Sequence, residues 1–342
     1  MKRIRPIRIE DLDALLHIAQ TAGTGFTSLP PDRDFLRAKI ERSLRSFAAN
    51  VAQPGPERYL FVLEDMDSST VGGCCAIEAA CGLDEAFYSY RVGLSVHASH
   101  ELQVYKQVPT LYLSNDLTGT SVLCSLYLRP EFRADGAGHL LSRSRFLFIA
   151  NFAQRFSKKV IAEMRGVSDE DGRSPFWEGL GRHFFHIGYG AAEQVVGQGN
   201  KACIAELMPR HPIYTVLLPA EAQAVLGRVH AQTAPALNLL EQEGFRYQGY
   251  VDIFDGGPTV EALASDIRSI RDSRPLTAFI GDVDAQAQMH LIATTALADY
   301  RCVLAPARID GTHAHLDANT ASALGVESGA PLRLAALAGA GQ

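Results

Sequence analysis

Residues 121–138 constrain the fold more than any other stretch of this 342-residue chain. An apolar run, Ser121 to Leu128 (SVLCSLYL), leads into Arg133 to Gly138 (RADGAG) and then into a long apolar segment carrying Leu140, Leu141, Phe146 and Ile149. The order reads as strand, Arg-x-x-Gly-x-Gly, helix. Glycines let a backbone approach a pyrophosphate with no Cβ in the way, and a helix start adds unpaired N–H groups and the positive end of its dipole. A Gly-x-Gly pair alone is a common turn into a helix. Between an apolar strand and a long helix it points to an anion cradle, with Arg133, Gly136 and Gly138 as its candidate residues.

Hydrophobic periodicity supplies a coarse plan around this unit. Residues 3–10 alternate as a strand, and residues 11–22 place Leu12, Leu15, Leu16 and Ala19 on one helical face. Pro30, Pro31 and Asp32 open a second helix that runs to about residue 49. Residues 59–63 and 71–80 read as neighbouring strands about the turn Asp67 to Ser69. Residues 83–105, rich in Tyr, Ser and His, predict irregular or short-strand structure. Apolar residues 110–113 and 121–128 flank Asn115 to Gly119 (NDLTG), a hairpin signal. The helix after the glycines is expected over 138–156, with a strand at 160–164. Ser174 and Pro175 offer an N-cap and a first-turn proline for a helix bearing Phe176, Trp177 and Leu180. Residues 202–207, 216–217 and 250–254 add strand material, and a helix over 235–243 closes at Gly244. Near Arg268 to Pro275 the composition shifts to short strand-like runs separated by Gly, Asp and Pro. This predicts a region at 1–272 followed by a small β-rich domain at 276–342.

Charge and composition exclude several classes. The formal net charge is −6 and the 32 Lys and Arg are dispersed, so no nucleic-acid partner is expected. No apolar run reaches membrane-spanning length, so no membrane partner is expected either. Met1 to Pro6 is basic but leads into Glu10 and Asp11 without the apolar stretch of a secretory signal. The six cysteines form no C-x-x-C pair, which fits free thiols in the reducing cytoplasm. His183 and His186 lie three apart, yet no third ligand or H-E-x-x-H pattern joins them, so no metal is expected.

The glycine loop and the order of elements resemble the GNAT acyltransferase fold. The resemblance implies an α+β fold: a GNAT-like acyltransferase region with a mixed, largely antiparallel sheet flanked by helices, plus the small C-terminal β-rich domain. In that fold the loop holds the CoA pyrophosphate, and the preceding strand hydrogen-bonds the pantetheine arm through its backbone. Longer blocks are similar to the arginine N-succinyltransferase family: FTSLP (26–30), YRVGLSVHASHELQVY (90–105), SNDLTG (114–119), AEMRGV (162–167), SPFW (174–177), AELMPRHPIY (205–214), GRVHAQTAPA (227–236) and YVDIFDGGPT (250–259).

That resemblance implies a cytoplasmic acyltransferase taking succinyl-CoA and L-arginine to N2-succinyl-L-arginine and CoA, the first step of arginine catabolism to glutamate. Succinyl-CoA is then a co-substrate, with no permanently bound cofactor. Two family positions carry over: Leu126 as a strand residue lining the succinyl-CoA site, and His230 as the catalytic proton donor. The family block often reads His-Pro where this chain has His230 and Ala231. Some members occur as paired related subunits and also accept L-ornithine. A homo-oligomer, or a hetero-oligomer with a related subunit, is therefore expected. The alternative reading is a catalytically silent or ornithine-preferring subunit that pairs with a related active chain.

The remaining substrate candidates come from residue chemistry. Glu163 and Arg165, two apart on an expected strand, share one face and suit a charged substrate or an exposed ion pair. Asn115 and Asp116 serve a turn or a site. Arg91 offers the planar bidentate donor that suits the carboxylate of the succinyl group or of arginine. Cys124 lies in the apolar strand, where burial makes a thiol inert, so direct attack of the amine on the thioester is the expected chemistry.

Overall fold

The computed structural model describes residues 1–23, 28–197, 206–284 and 286–337. The N-terminal strands are β1 (Lys2–Pro6), β2 (Arg58–Asp65), β3 (Thr70–Glu78), β4 (Ser89–Ser99) and β5 (Val104–Ser114). Next come β6 (Ser121–Leu128), β7 (Lys159–Glu163), β8 (Ile213–Tyr214), β9 (Arg246–Val251) and β10 (Pro258–Leu263). The C-terminal strands are β11 (Arg274–Ile280), β12 (Met289–Thr294), β13 (Cys302–Pro306), β14 (Arg308–Asp310), β15 (His313–Leu316) and β16 (Pro331–Ala336). All sixteen join one sheet in the order β14-β15-β11-β16-β12-β13-β1-β2-β3-β6-β7-β10-β9-β4-β5-β8. Among the described residues only β6/β7 and β11/β15 are parallel neighbours. The expected mixed, largely antiparallel α+β arrangement is the one the chain adopts.

Strand alternation explains the two layers. Along β2, Tyr59, Phe61 and Leu63 point into one core while Leu60 and Val62 point into another. The second core is covered by α1 (Leu12–Thr21) and α2 (Arg33–Ala48), whose buried Leu12, Leu15, Ile18 and Leu36, Ile40 follow helical spacing. Helix α2 starts one residue after Asp32, whose carboxylate accepts the N–H of Phe35 at 2.9 Å. The first core is covered by α3 (Ala137–Asn151), with Leu141, Phe146 and Phe148 fully buried. Ser174 caps α4 (Pro175–Gly179) as expected, its hydroxyl accepting from the N–H of Trp177. Helices α5 (Arg182–Phe185), α6 (Tyr189–Gly197) and α7 (Ala220–Val225) follow, then α8 (Ala234–Gln242), α9 (Arg268–Arg271) and α10 (Ala318–Leu324). No helix among the described residues is long and apolar enough to cross a membrane.

The C-terminal strands have a core of their own, including Leu276, Ile292, Val303 and Leu332. They also continue the main sheet, because β13 pairs with β1 at Arg3↔Val303 and Ile4↔Cys302. Leu291, Tyr300, Cys302 and Ala335 pack into the core beneath α3.

Several local expectations differ from the structure. Residues 89–114 form one long hairpin, paired from Ser89↔Ser114 to Ser99↔Val104. Its tip carries exposed Leu94, Val96, Leu102 and Tyr105, so it lacks the one-sided burial that makes a strand pattern readable. Asn115 to Gly119 is a turn, with the Thr118 N–H donating to the Asn115 carbonyl at 3.0 Å. It does not join a hairpin: β5 pairs with β4 and β8, whereas β6 lies between β3 and β7. The first strand stops at Pro6, and residues 9–11 form a 3₁₀ turn. Residues 215–217 are also 3₁₀ rather than strand, just before Pro219. Helix α3 ends at Asn151, five residues short of the expected end. The strand expected over 202–207 falls mostly outside the described residues, and Glu206 and Leu207 are helical.

Candidate active site

Strand β6 is the centre of the site because it changes partners along its length. Its pairing with β7 covers only Ser121↔Val160 and Val122↔Ile161, after which the two parallel strands separate. From Leu123 to Leu128 the side of β6 facing β7 has no strand partner among the described residues. On its other side, the register with β3 shifts between Cys74 and Ala76, so Ser125 and Leu126 together oppose Cys75. This is a β-bulge, with Ser125 at φ 52°. An open, bulged strand edge presents backbone N–H and C=O groups to an extended, amide-bearing ligand. The Leu126 side chain packs against the α3 core, so its backbone is the part left to serve that edge.

The glycine loop lies at the far end of the same strand. Gly136 has φ 73° and is the N-cap of α3, and a Cβ there would lie 2.6 Å from Leu304 of β13. Its glycine is therefore required by backbone conformation and by packing against the C-terminal strands. A Cβ on Gly138 would meet nothing within 4 Å, so this glycine faces open space at the first turn of the helix, where N–H groups lack intrahelical partners. Arg133 donates from Nε to the Leu128 carbonyl at 3.0 Å and ties the loop to the end of β6.

His230 stands at the end of β7. Its backbone N–H donates to the Arg165 carbonyl at 2.9 Å, beside a bridge between Gly166 and Val229. The His230 carbonyl then accepts from Thr233 and Ala234, which starts α8. On the ring, Nδ1 accepts the Gln232 N–H at 3.2 Å, so the neutral ring carries its proton on Nε2. Burial and the nearby Arg165 guanidinium hold the imidazole below its ordinary pKa, partly offset by the backbone of Ser168. Since β6 and β7 run parallel, Leu126 and His230 lie at the same end of the two strands, where the gap is open.

The remaining candidates divide into two groups. Glu163↔Thr259, Thr259↔Tyr250 and Tyr250↔Arg91 are successive cross-strand pairs, so these side chains form one row on one face of β7, β10, β9 and β4. Asp116 closes the row: its carboxylate accepts from the Tyr250 hydroxyl at 2.7 Å and lies 3.8 Å from Arg91. Burial works against ionising Asp116, but the Ser114 and Tyr250 hydroxyls and Arg91 outweigh it and hold its pKa below the ordinary value. Burial and Asp116 push Tyr250 up to about 12. The backbone carbonyl of Asn115 closes the turn, accepting from Thr118. Arg165 leaves this row, because β7 ends at Glu163, and its Nη2 donates to the Ser168 hydroxyl at 2.8 Å. Glu163 and Arg165 therefore do not share one strand face.

Tyr250 was not legible as a site residue, since its partner Asp116 lies 134 positions away. Burial pushes the Cys124 thiol up, which leaves it a poor nucleophile.

Comparison with known proteins bears on the family and the fold. The sequence model of the family described as arginine N-succinyltransferase beta subunit matches residues 2–269, and that of its C-terminal domain matches residues 274–336. An arginine N-succinyltransferase of Yersinia enterocolitica is 50% identical over 339 residues, covering 98% of both chains. One from Citrobacter koseri is 48% identical over 338 residues, again covering 98% of each. The solved structure of an arginine/ornithine succinyltransferase subunit AI from Pseudomonas aeruginosa superposes with a TM-score of 0.91 at 40% identity, covering 99% of both chains. With whole-length matches in sequence and in structure, the chain belongs to the arginine N-succinyltransferase family.

Proposed function

We propose that this chain transfers the succinyl group of succinyl-CoA to the α-amine of L-arginine, giving N2-succinyl-L-arginine and CoA as the entry to arginine catabolism. The observation that carries the reading is the bulged edge of β6, which β7 leaves after Val122, set between a glycine-started helix and His230. The pantetheine arm adds along that edge, with the thioester at Ser125 and Leu126. The pyrophosphate lies at the first turn of α3, by Gly138 and Arg133, while Gly136 shapes the turn. The Arg91, Asp116, Tyr250 and Glu163 row supplies charge for the amino acid.

The chemistry follows from the thioester. The amine nitrogen forms a bond to the carbonyl carbon, the C–S bond breaks, and CoA leaves with the sulfur electron pair. The substrate ammonium releases two protons overall: one ends on the CoA sulfur and one in solvent. A ring that rests neutral, as the depressed pKa of His230 favours, takes up a proton from the amine and returns it to sulfur. Holding both substrates in one gap is the largest contribution to rate.

Buried free thiols support a reducing, cytoplasmic setting. Assembly is proposed as a homo-oligomer or a pair with a related subunit. Turnover of the purified chain with succinyl-CoA, read by thiol release and product mass with arginine and ornithine in parallel, tests the reading. No turnover with either amine would make it the silent partner of an active subunit.

The two glycines separate cradle from packing. Gly138→Val is expected to weaken CoA binding in calorimetry at unchanged melting temperature, because its Cβ enters open space. Gly136→Ala is expected to lower the melting temperature, the left-handed conformation alone costing about 1–2 kcal/mol. Full CoA affinity in a folded Gly138→Val variant would remove the loop from the site.

A further inference from the structure

Helix α3 carries an arginine with no ion-pair partner among the described residues. Arg145 is 2% exposed, and its guanidinium bonds only Ser142: Nε donates to the carbonyl at 3.0 Å and Nη2 to the hydroxyl at 3.1 Å. Among the described residues no carboxylate forms an ion pair with it, and its hydrogen bonds come from Nε and Nη2. The two nearby buried arginines contrast with it: Arg143 reaches Glu243, and Arg155 donates to Tyr59 and to backbone carbonyls. An isolated buried charge is strongly unfavourable unless an opposite charge meets it.

Its position is fixed by its neighbours. Residues 141, 145 and 148 share one stripe of the helix. Leu141 lies against Gly73, beside Leu128, and Phe148 lies against Phe61. Arg145 falls between them; burial disfavours its charge, and Cys75 and Cys124 are the ionisable neighbours that partly oppose this. Cys75 is the residue that the β6 bulge opposes. The guanidinium therefore sits beneath the bulge.

From this geometry we infer that Arg145 is the anion subsite for the free carboxylate of a dicarboxylic acyl donor, the group that distinguishes succinyl-CoA from simple acyl-CoAs. The inference rests on the succinyl-transfer reading above and deepens it. The CoA phosphates do not compete for this cation, because the helix start lies roughly 12 Å back along the axis from residue 145. The pantetheine arm spans that distance along β6, which brings the acyl end to the bulge. Arg91, the sequence-level candidate for this task, is 61% exposed at its side chain and faces Asp116.

The test uses the whole chain with succinyl-CoA and butyryl-CoA, which match in length and differ in the terminal carboxylate. Arg145→Met is expected to lose about 10²–10³-fold in kcat/KM for succinyl-CoA, the loss typical of breaking a buried charge pair, with little change for butyryl-CoA. The ligand-free melting temperature is expected to hold or rise, because an unpaired charge gives way to an apolar chain. Arg145→Lys, which keeps the charge, should retain part of the preference and serves if the methionine variant fails to fold. Equal losses for both donors, or an unchanged preference, would overturn the assignment. A wild-type chain with no preference for succinyl-CoA would instead overturn the succinyl-transfer reading, and this inference with it.

Discussion

His230→Ala is expected to fold normally, bind CoA with unchanged affinity and lose about 10²–10⁴-fold in kcat, the range that a positioned proton-transfer group contributes. Affinity is expected to be spared because the proposed cofactor contacts lie on β6 and α3, whereas His230 follows the end of β7. A thiol has an ordinary pKa of about 8.5, so the departing thiolate is a fair leaving group and the loss should fall toward the lower end. A fall in kcat at constant KM places the role in the transition state. The pH profile gives an independent reading. Burial and Arg165 depress the imidazole pKa, so wild-type activity should fall as pH drops through a value below the ordinary 6.5. Below that point the ring arrives already protonated and cannot accept from the amine; above it the ring stays competent. His230→Ala should lack this limb. A folded variant within about threefold of wild type, far short of the usual contribution, would dismiss His230 as the proton carrier.

What could be read in advance tracks how locally each feature is encoded. Strands β2 and β3 and helix α3 announce themselves as continuous apolar runs, because both faces of the strands and nearly the whole helix are buried, and Gly136 marks a helix start in the left-handed conformation. Strand β4 and the outer half of β5 were opaque because they pair with each other without a core, leaving Leu94, Val96 and Tyr105 in solvent, whereas residues 110–113 read as an apolar run. The turn at Asn115 was legible as a turn, but turn chemistry specifies a local reversal and not the strands that follow it. His230 has no periodic signal at all, and only the family resemblance reached it. Arg145 was hidden for the opposite reason: an arginine in an apolar helix reads as a polar interruption until the absence of a partner is visible. The charged row needs pairings between β7, β10, β9 and β4, which residue order alone does not disclose.

Glu243→Ala is expected to cost about 3–5 kcal/mol, because it removes one member of a buried charge cluster and strands the others. Glu243 is fully buried at the end of α8. Its Oε1 lies 2.9 Å from Nε of Arg143 on α3 and 2.6 Å from Nη2 of Arg268 on α9. Its Oε2 accepts the N–H of Ser269 at 2.7 Å. Without the carboxylate, two guanidiniums with side chains 4% and 16% exposed face each other, their remaining acceptors being the Ala336 and Leu337 carbonyls and Gln242. Four segments meet there: α3, α8, α9 and the end of β16. A loss of this size should lower the melting temperature by roughly 10 °C, taking the scale of a large domain. Glu243→Gln keeps the shape and some hydrogen bonds but not the charge, so it should fall between wild type and alanine. Denaturant unfolding followed by circular dichroism measures both, and a loss under about 1 kcal/mol for alanine would mean the arginines find water or other acceptors. Because α8 begins at the His230 turn, the alanine variant should also lose kcat below its melting point, which Glu243→Gln should largely restore.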